Sequence, residues 1–173
     1  MTGVQTCALP IYKHRILAPI YWDGELVSFQ ARDITNKSDL KYLACPQARE
    51  LINHQEILYG SQEHWTDFGI CVEGITDAWR FGTSAFAVFG IEYTSKQVTI
   101  ISKRFKIVAV VFDDEPQAIK QADKLIAELK FRGVYAWRIL IEGDPGAMNQ
   151  DDANELVKEL TNEANKVRRE FYE

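Results

Sequence analysis

Residues 107–132 read IVAVVFDDEPQAIKQADKLIAELKFR, and this stretch decides the fold class. Its first six residues are an unbroken apolar run of strand length, as a strand covered on both faces requires. Asp113, Asp114 and Glu115 follow at once, and then Pro116, whose fixed φ suits the first turn of a helix. From there Ala118, Ile119, Ala122, Leu125, Ile126 and Leu129 fall on one helical face, and Gly133 is placed to end the helix. A second apolar run, VYAWRILI (134–141), comes next. Strand, crossover helix and strand make a βαβ unit, so a parallel sheet with helices on both faces is expected.

The same alternation extends in both directions. Upstream lie a strand FGICV (68–72), a short helix around 76–81, a strand AFAVF (85–89) and a helix over 95–104. Downstream, the loop EGDPGAMN (142–149) leads into a helix with Ala153, Leu156, Val157, Leu160, Ala164 and Val167 on one stripe. The order βαβαβαβα predicts an α/β domain over 67–165 with a mainly parallel four-stranded sheet, and 166–173 continue the last helix as a tail. Before it, two β-rich runs in 13–32 flank Asp23-Gly24, a dipeptide suited to a type I′ turn, so an antiparallel hairpin is expected. Residues 33–66 hold neither period and read as a loop-rich connector, with the hairpin and connector together forming a first segment over 12–66.

Residues 1–11 (MTGVQTCALPI) carry no charge and no signal-peptide pattern. They resemble translated sequencing-adapter read-through, so a non-native or disordered leader is expected, with the natural sequence starting near Tyr12 and the chain a fragment.

The composition bounds the partners. Twenty Lys and Arg against 25 Asp and Glu give a net charge of −5 over 173 residues, 46% of them hydrophobic. No apolar run is long enough to span a membrane. The acidic balance disfavours non-specific coating of nucleic acid and leaves open a local basic patch or a bound cation. Cys7, Cys45 and Cys71 are widely spaced and odd in number, which fits neither a disulfide framework nor a zinc knuckle and favours a reducing, cytoplasmic setting.

Function is expected where strands end, because loops and helix N-termini of an open parallel sheet converge there. Glu73 follows GICV, Asp113, Asp114 and Glu115 follow IVAVVF, and Asp144 lies three residues past Ile141. Side chains alternate along an extended chain, so Asp113 and Glu115 share a direction and Asp114 points elsewhere. Crowded carboxylates need neutralising, and hard oxygen donors suit Mg²⁺ or Mn²⁺. A plainer account competes: acids ahead of Pro116 cap helices, and Glu73 with Asp77 reads equally as a capped short helix.

These residues carry a family resemblance. CVEGITDAW resembles the Glu-Gly-x-x-Asp motif of the TOPRIM domain, and VVFDDE its Asp-x-Asp motif, with Glu115 in place of the second aspartate. HRILAPIYWDGELVSFQAR, KYLACP and ILYG resemble upstream elements of the bacterial DnaG-type DNA primase, and GDPGAM resembles the Asp-Pro loop in the form typical of phage primases. The resemblance covers nearly all of 13–160. It implies the end of a primase basic subdomain joined to a TOPRIM domain, making RNA primers on single-stranded DNA by metal-dependent nucleotidyl transfer. It implies Glu73, Asp113 and Glu115 as catalytic, and Glu73, Asp113, Glu115 and Asp144 as Mg²⁺ or Mn²⁺ ligands. Asp77 and Asp114 would be supporting acids, and Arg15, Arg32 and Lys41 would contact template or nucleotide. Implied partners are a single-stranded DNA template, nucleoside triphosphates and, through regions outside this chain, a replicative helicase of the primosome.

Two departures stand out: Glu115 is longer than the expected aspartate, and Gly146 occupies a position where many primases carry a further acid. With the zinc-binding module, most of the basic subdomain and the helicase-binding domain outside the chain, weak or no activity is expected of it alone. A TOPRIM nuclease or a non-catalytic binding module would use the same fold. A phosphorylation receiver would need its acid pair after the first strand and a lysine after the last. His14, His54 and His64 lack ligand spacing, Lys103, Arg104 and Lys106 read as a solvated helix end, and Trp22, Trp65, Trp79 and Trp137 read as core or interface anchors.

Overall fold

The computed structural model describes residues 10–35, 37–141 and 143–172. Most of the expected leader lies outside them, and its last two residues join Tyr12 in a 3-10 turn (Pro10–Tyr12). At the hairpin, Asp23 and Gly24 both take positive φ, 50° and 83°, the backbone of a type I′ turn. The turn joins β1 (Arg15–Trp22) to β2 (Glu25–Asp33) in antiparallel register, and β3 (Tyr42–Ala44) pairs with the far side of β2. The chain divides into two compact units between His54 and Gln55. Within the first, the Glu50 carboxylate accepts from Ser28 Oγ at 2.6 Å and lies 2.6 Å from His54 Nδ1, fastening the connector to β2.

The second unit contains β4 (Tyr59–Gly60), β5 (Phe68–Val72), α1 (Ile75–Phe81), β6 (Ala85–Ala87), α2 (Ser95–Arg104), β7 (Ile107–Val111), α3 (Pro116–Phe131), β8 (Tyr135–Arg138) and α4 (Gln150–Phe171). Its sheet order is β4-β6-β5-β7-β8, with every pairing parallel except β4 on β6. The expected parallel sheet is present, with five strands in place of four. The fifth, β4, has two residues, too few to display a period. Gln97, fully buried on α2, holds that edge by donating from Nε2 to the carbonyls of Ile57 and Val88, both at 3.0 Å. β6 and β8 are shorter than their apolar runs, although Val88 N–H still donates to Val72 and Ile139 N–H to Val110.

Every residue of β5 and β7 is buried, as their continuous apolar sequences require. One set of alternating side chains, Phe68, Ile70, Val72, Ile107, Ala109 and Val111, packs with Ala78 and Phe81 of α1 and with Ala153, Leu160, Ala164 and Val167 of α4. The residue between Phe68 and Ile70 is Gly69, where an added Cβ would lie 2.7 Å from the rings of both Phe86 and Phe105. Those rings stack with centroids 4.7 Å apart, and Trp65 packs against both. Near the other end of α4, Arg168 pairs with Asp67 just ahead of β5, at 2.5 Å. No helix among the described residues is long and apolar enough to cross a membrane.

Candidate active site at the carboxyl ends of the strands

Val72 lies opposite Val111 in parallel register, so the residues after β5 and β7 emerge on one edge. There the Asp113 backbone N–H donates to Glu73 Oε1 at 2.9 Å. Asp114 Oδ2 accepts from Gly143 N–H at 3.3 Å. Glu115 is the N-cap residue of α3, yet its side chain makes no capping hydrogen bond. Capping therefore does not account for its carboxylate.

The start of α1 brings a second pair of acids to this edge. Asp77 folds back so that Oδ2 accepts from Gly74 N–H at 2.8 Å, which closes the helix start and buries the carboxyl group. Asp144 begins a 3-10 turn (Pro145–Ala147), and its Oδ1 accepts from Gly146 N–H at 2.8 Å. This turn lies against α1 so closely that a Cβ on Gly146 would be 2.6 Å from Asp77 Oδ1 and 3.1 Å from Asp144 Oδ1. Glu73 with Asp113, and Asp77 with Asp144, thus form two neighbouring acid pairs.

Burial raises the Glu73 carboxyl to about 7 against the Asp113 N–H that lowers it, and the charges of Asp113, Asp77 and Glu115 raise it further. Burial likewise raises Asp77 to about 6, opposed by Gly74 N–H and reinforced by Asp144 and Asp113. Carboxyl groups held this way favour a proton or a cation. Among the described residues no three carboxylate, histidine or cysteine side chains converge closely enough to hold a metal ion as they stand. The donor set itself, hard oxygens under mutual repulsion, fits Mg²⁺ or Mn²⁺ and not a soft metal.

The basic residues lie in the first unit. Arg15 is buried, and its guanidinium donates to Ser38 Oγ at 2.7 Å and to the carbonyls of Leu40, Lys41 and Ala31. It shapes the 38–41 turn from within. Arg32 donates to Tyr42 Oη at 2.8 Å and lies over that ring, while Lys41 is exposed. Trp65 is a core residue, whereas Trp79 is 44% exposed with its indole N–H donating to Tyr59 Oη at 2.6 Å. Sequence reasoning missed Arg80 and Gln150, which hold the Asp144 turn. Neither sits in a motif, although Asp144 and the GDPGAM loop pointed to the turn that they hold.

Comparison with known proteins bears on the fold. No protein-family profile and no curated protein matches the sequence. Solved structures do match. The Aquifex aeolicus primase (zinc-binding and RNA polymerase domains) aligns with a TM-score of 0.75 at 22% identity, over 94% of this chain and 43% of that one. The DnaG primase catalytic domain bound to single-stranded DNA aligns with a TM-score of 0.73 at 18% identity, over 87% and 52%. The primase fragment of the bacteriophage T7 primase-helicase aligns with a TM-score of 0.61 at 14% identity, over 85% and 62%. This chain spans about half the length of the first two. Over that span it has the fold of DnaG-type primase catalytic cores.

Proposed function

We propose that this chain is the core portion of a DNA primase, joining ribonucleotides on a single-stranded DNA template in a reducing, cytoplasmic compartment. The observation that carries the reading is the acid edge: Glu73 and Asp113 linked across the ends of β5 and β7, with Asp77 and Asp144 beside them, in a fold shared with primase cores. Glu73, Asp113, Glu115 and Asp144 would hold Mg²⁺ or Mn²⁺, which when bound neutralises triphosphate charge and stabilises the displacement at the α-phosphate. Glu73, with one carboxylate oxygen fixed by Asp113 N–H, serves either as one of these ligands or as the general base that takes the proton of an attacking 3′-hydroxyl. Asp77 holds the start of α1 in shape, and Asp114 holds the loop at Gly143. Arg32 and Lys41 contact phosphates of template or nucleotide, and Arg15 serves by fixing the turn that carries Lys41.

Six basic side chains (Lys13, Arg15, Arg32, Lys37, Lys41, Arg49) face six acids (Asp23, Glu25, Asp33, Asp39, Glu50, Glu56) in residues 13–60, so this segment has no net charge. Template affinity is therefore weak and easily screened by salt. Ribonucleotide incorporation on single-stranded DNA is expected to be very low for this chain alone. It should appear when the chain is joined to a basic portion and to a zinc-binding domain like that of the Aquifex primase, and vanish on Glu73→Gln or Asp113→Asn. An inactive joined protein, together with tight DNA binding by this chain in physiological salt, would instead establish a non-catalytic binding module.

A further inference from the structure

Arg80 lies in the last turn of α1, and its guanidinium faces the Asp144 turn. Nε and Nη2 donate to the Gly146 carbonyl at 3.4 and 3.3 Å, and Nη1 donates to Gln150 Oε1 at 3.1 Å. Gln150, the first residue of α4, answers by donating from Nε2 to the Arg80 carbonyl at 3.0 Å. The guanidinium is thus committed to a carbonyl and an amide. From the opposite side, Gly146 lets the turn approach to a distance that any side chain would prevent, since a Cβ there meets Asp77 Oδ1 at 2.6 Å and Thr76 Oγ1 at 3.4 Å. Asp144 Oδ1 is bonded to Gly146 N–H, so whatever holds Gly146 also aims that carboxylate.

We propose that Arg80 and Gly146 form a clasp that sets Asp144 against Asp77, making Arg80 a positioning residue for cation binding at the acid edge. The cation role rests on the function proposed above; the clasp itself is a statement about the turn. The planar fork that bridges the Gly146 carbonyl and Gln150 holds both acceptors from separate nitrogens in one rigid geometry, which a lysine's single nitrogen on a flexible stem does not reproduce.

Two measurements on the full chain decide the matter. In Mn²⁺ titration followed by electron paramagnetic resonance, Arg80→Ala is expected to raise the dissociation constant roughly 10-fold, the scale of lost outer-shell support. That loss should shrink to within about twofold once Asp144→Asn is present, and persist in full beside Glu115→Gln. Arg80→Lys should behave like Arg80→Ala, and Gly146→Ala should reproduce the loss. Rescue by lysine, or an equal Arg80→Ala effect with and without the Asp144 charge, would overturn the proposal. In amide hydrogen exchange without metal, Gly146 and Ala147 should exchange faster in Arg80→Ala. If the parent binds no Mn²⁺, the metal reading falls and exchange alone judges the clasp, with unchanged rates refuting it. Should Arg80→Ala fail to fold, Arg80→Lys and Gln150→Ala carry the same comparisons.

Discussion

Glu73 and Asp113, 40 residues apart in sequence, are joined by a backbone N–H donating to a carboxylate oxygen at 2.9 Å. The donor belongs to the main chain, so changing the Asp113 side chain leaves the bond in place. The acceptor survives in glutamine as an amide oxygen. Charge and geometry can therefore be removed separately at this site.

That separation gives a metal-binding prediction. Asp113→Ala and Glu115→Ala are each expected to weaken Mn²⁺ binding, measured by calorimetry or paramagnetic relaxation, by at least the roughly 10–100-fold that outer-shell losses cause. Binding as tight as the parent's in either variant would remove these residues from the site.

Stability should vary with pH in a direction opposite to that of most carboxylates. Glu73 and Asp77 are raised to about 7 and about 6, so the folded chain keeps protons that the unfolded chain has released. Their contribution is fully present below the ordinary carboxylate pKa and is lost as pH rises through about 6 to 7. Denaturant midpoints should accordingly fall between pH 5 and pH 8, with a flatter profile for Glu73→Gln. Mg²⁺ at pH 8 should restore part of the loss in the parent by binding the folded state.

Gln97→Leu is expected to destabilise the second unit strongly. It strands the carbonyls of Ile57 and Val88 in a buried place and removes the acceptor for Thr94 N–H, at roughly 1–3 kcal/mol for each buried group left unmatched. Chemical denaturation measures the sum. A variant within about 0.5 kcal/mol of the parent would show that water replaces the amide.

Gly69→Ala tests the packing of the opposite face. A methyl group 2.7 Å from two stacked rings must push Phe86 and Phe105 apart, and such overpacking costs roughly 1–3 kcal/mol. The same experiment, read by near-ultraviolet circular dichroism, should report a changed environment for Trp65.

Much of this was legible in the sequence. The runs before Glu73 and Asp113 revealed doubly covered strands, and the stripe from Ala118 to Leu129 revealed α3 with its ends. The two-residue strand β4 was illegible because its pairing depends on Gln97, a polar residue whose burial only the tertiary fold decides. Arg15 was expected at the template or nucleotide because sequence does not show that a turn 25 residues away supplies its guanidinium with acceptors. The pairing of Asp77 with Asp144 escaped notice for a similar reason, since it depends on the close approach of Gly146.

The parallel arrangement of β5, β7 and β8 has a kinetic consequence. No hairpin can bring Glu73, Asp113 and Asp144 together, because α1, β6 and α2 lie between the first two and α3 between the last two. Their mutual repulsion is therefore expected to arise late, once the crossovers have brought the strand ends together. Substitutions that discharge the edge should leave the refolding rate nearly unchanged and slow the escape from the native state, so the site would register chiefly in the lifetime of the folded chain.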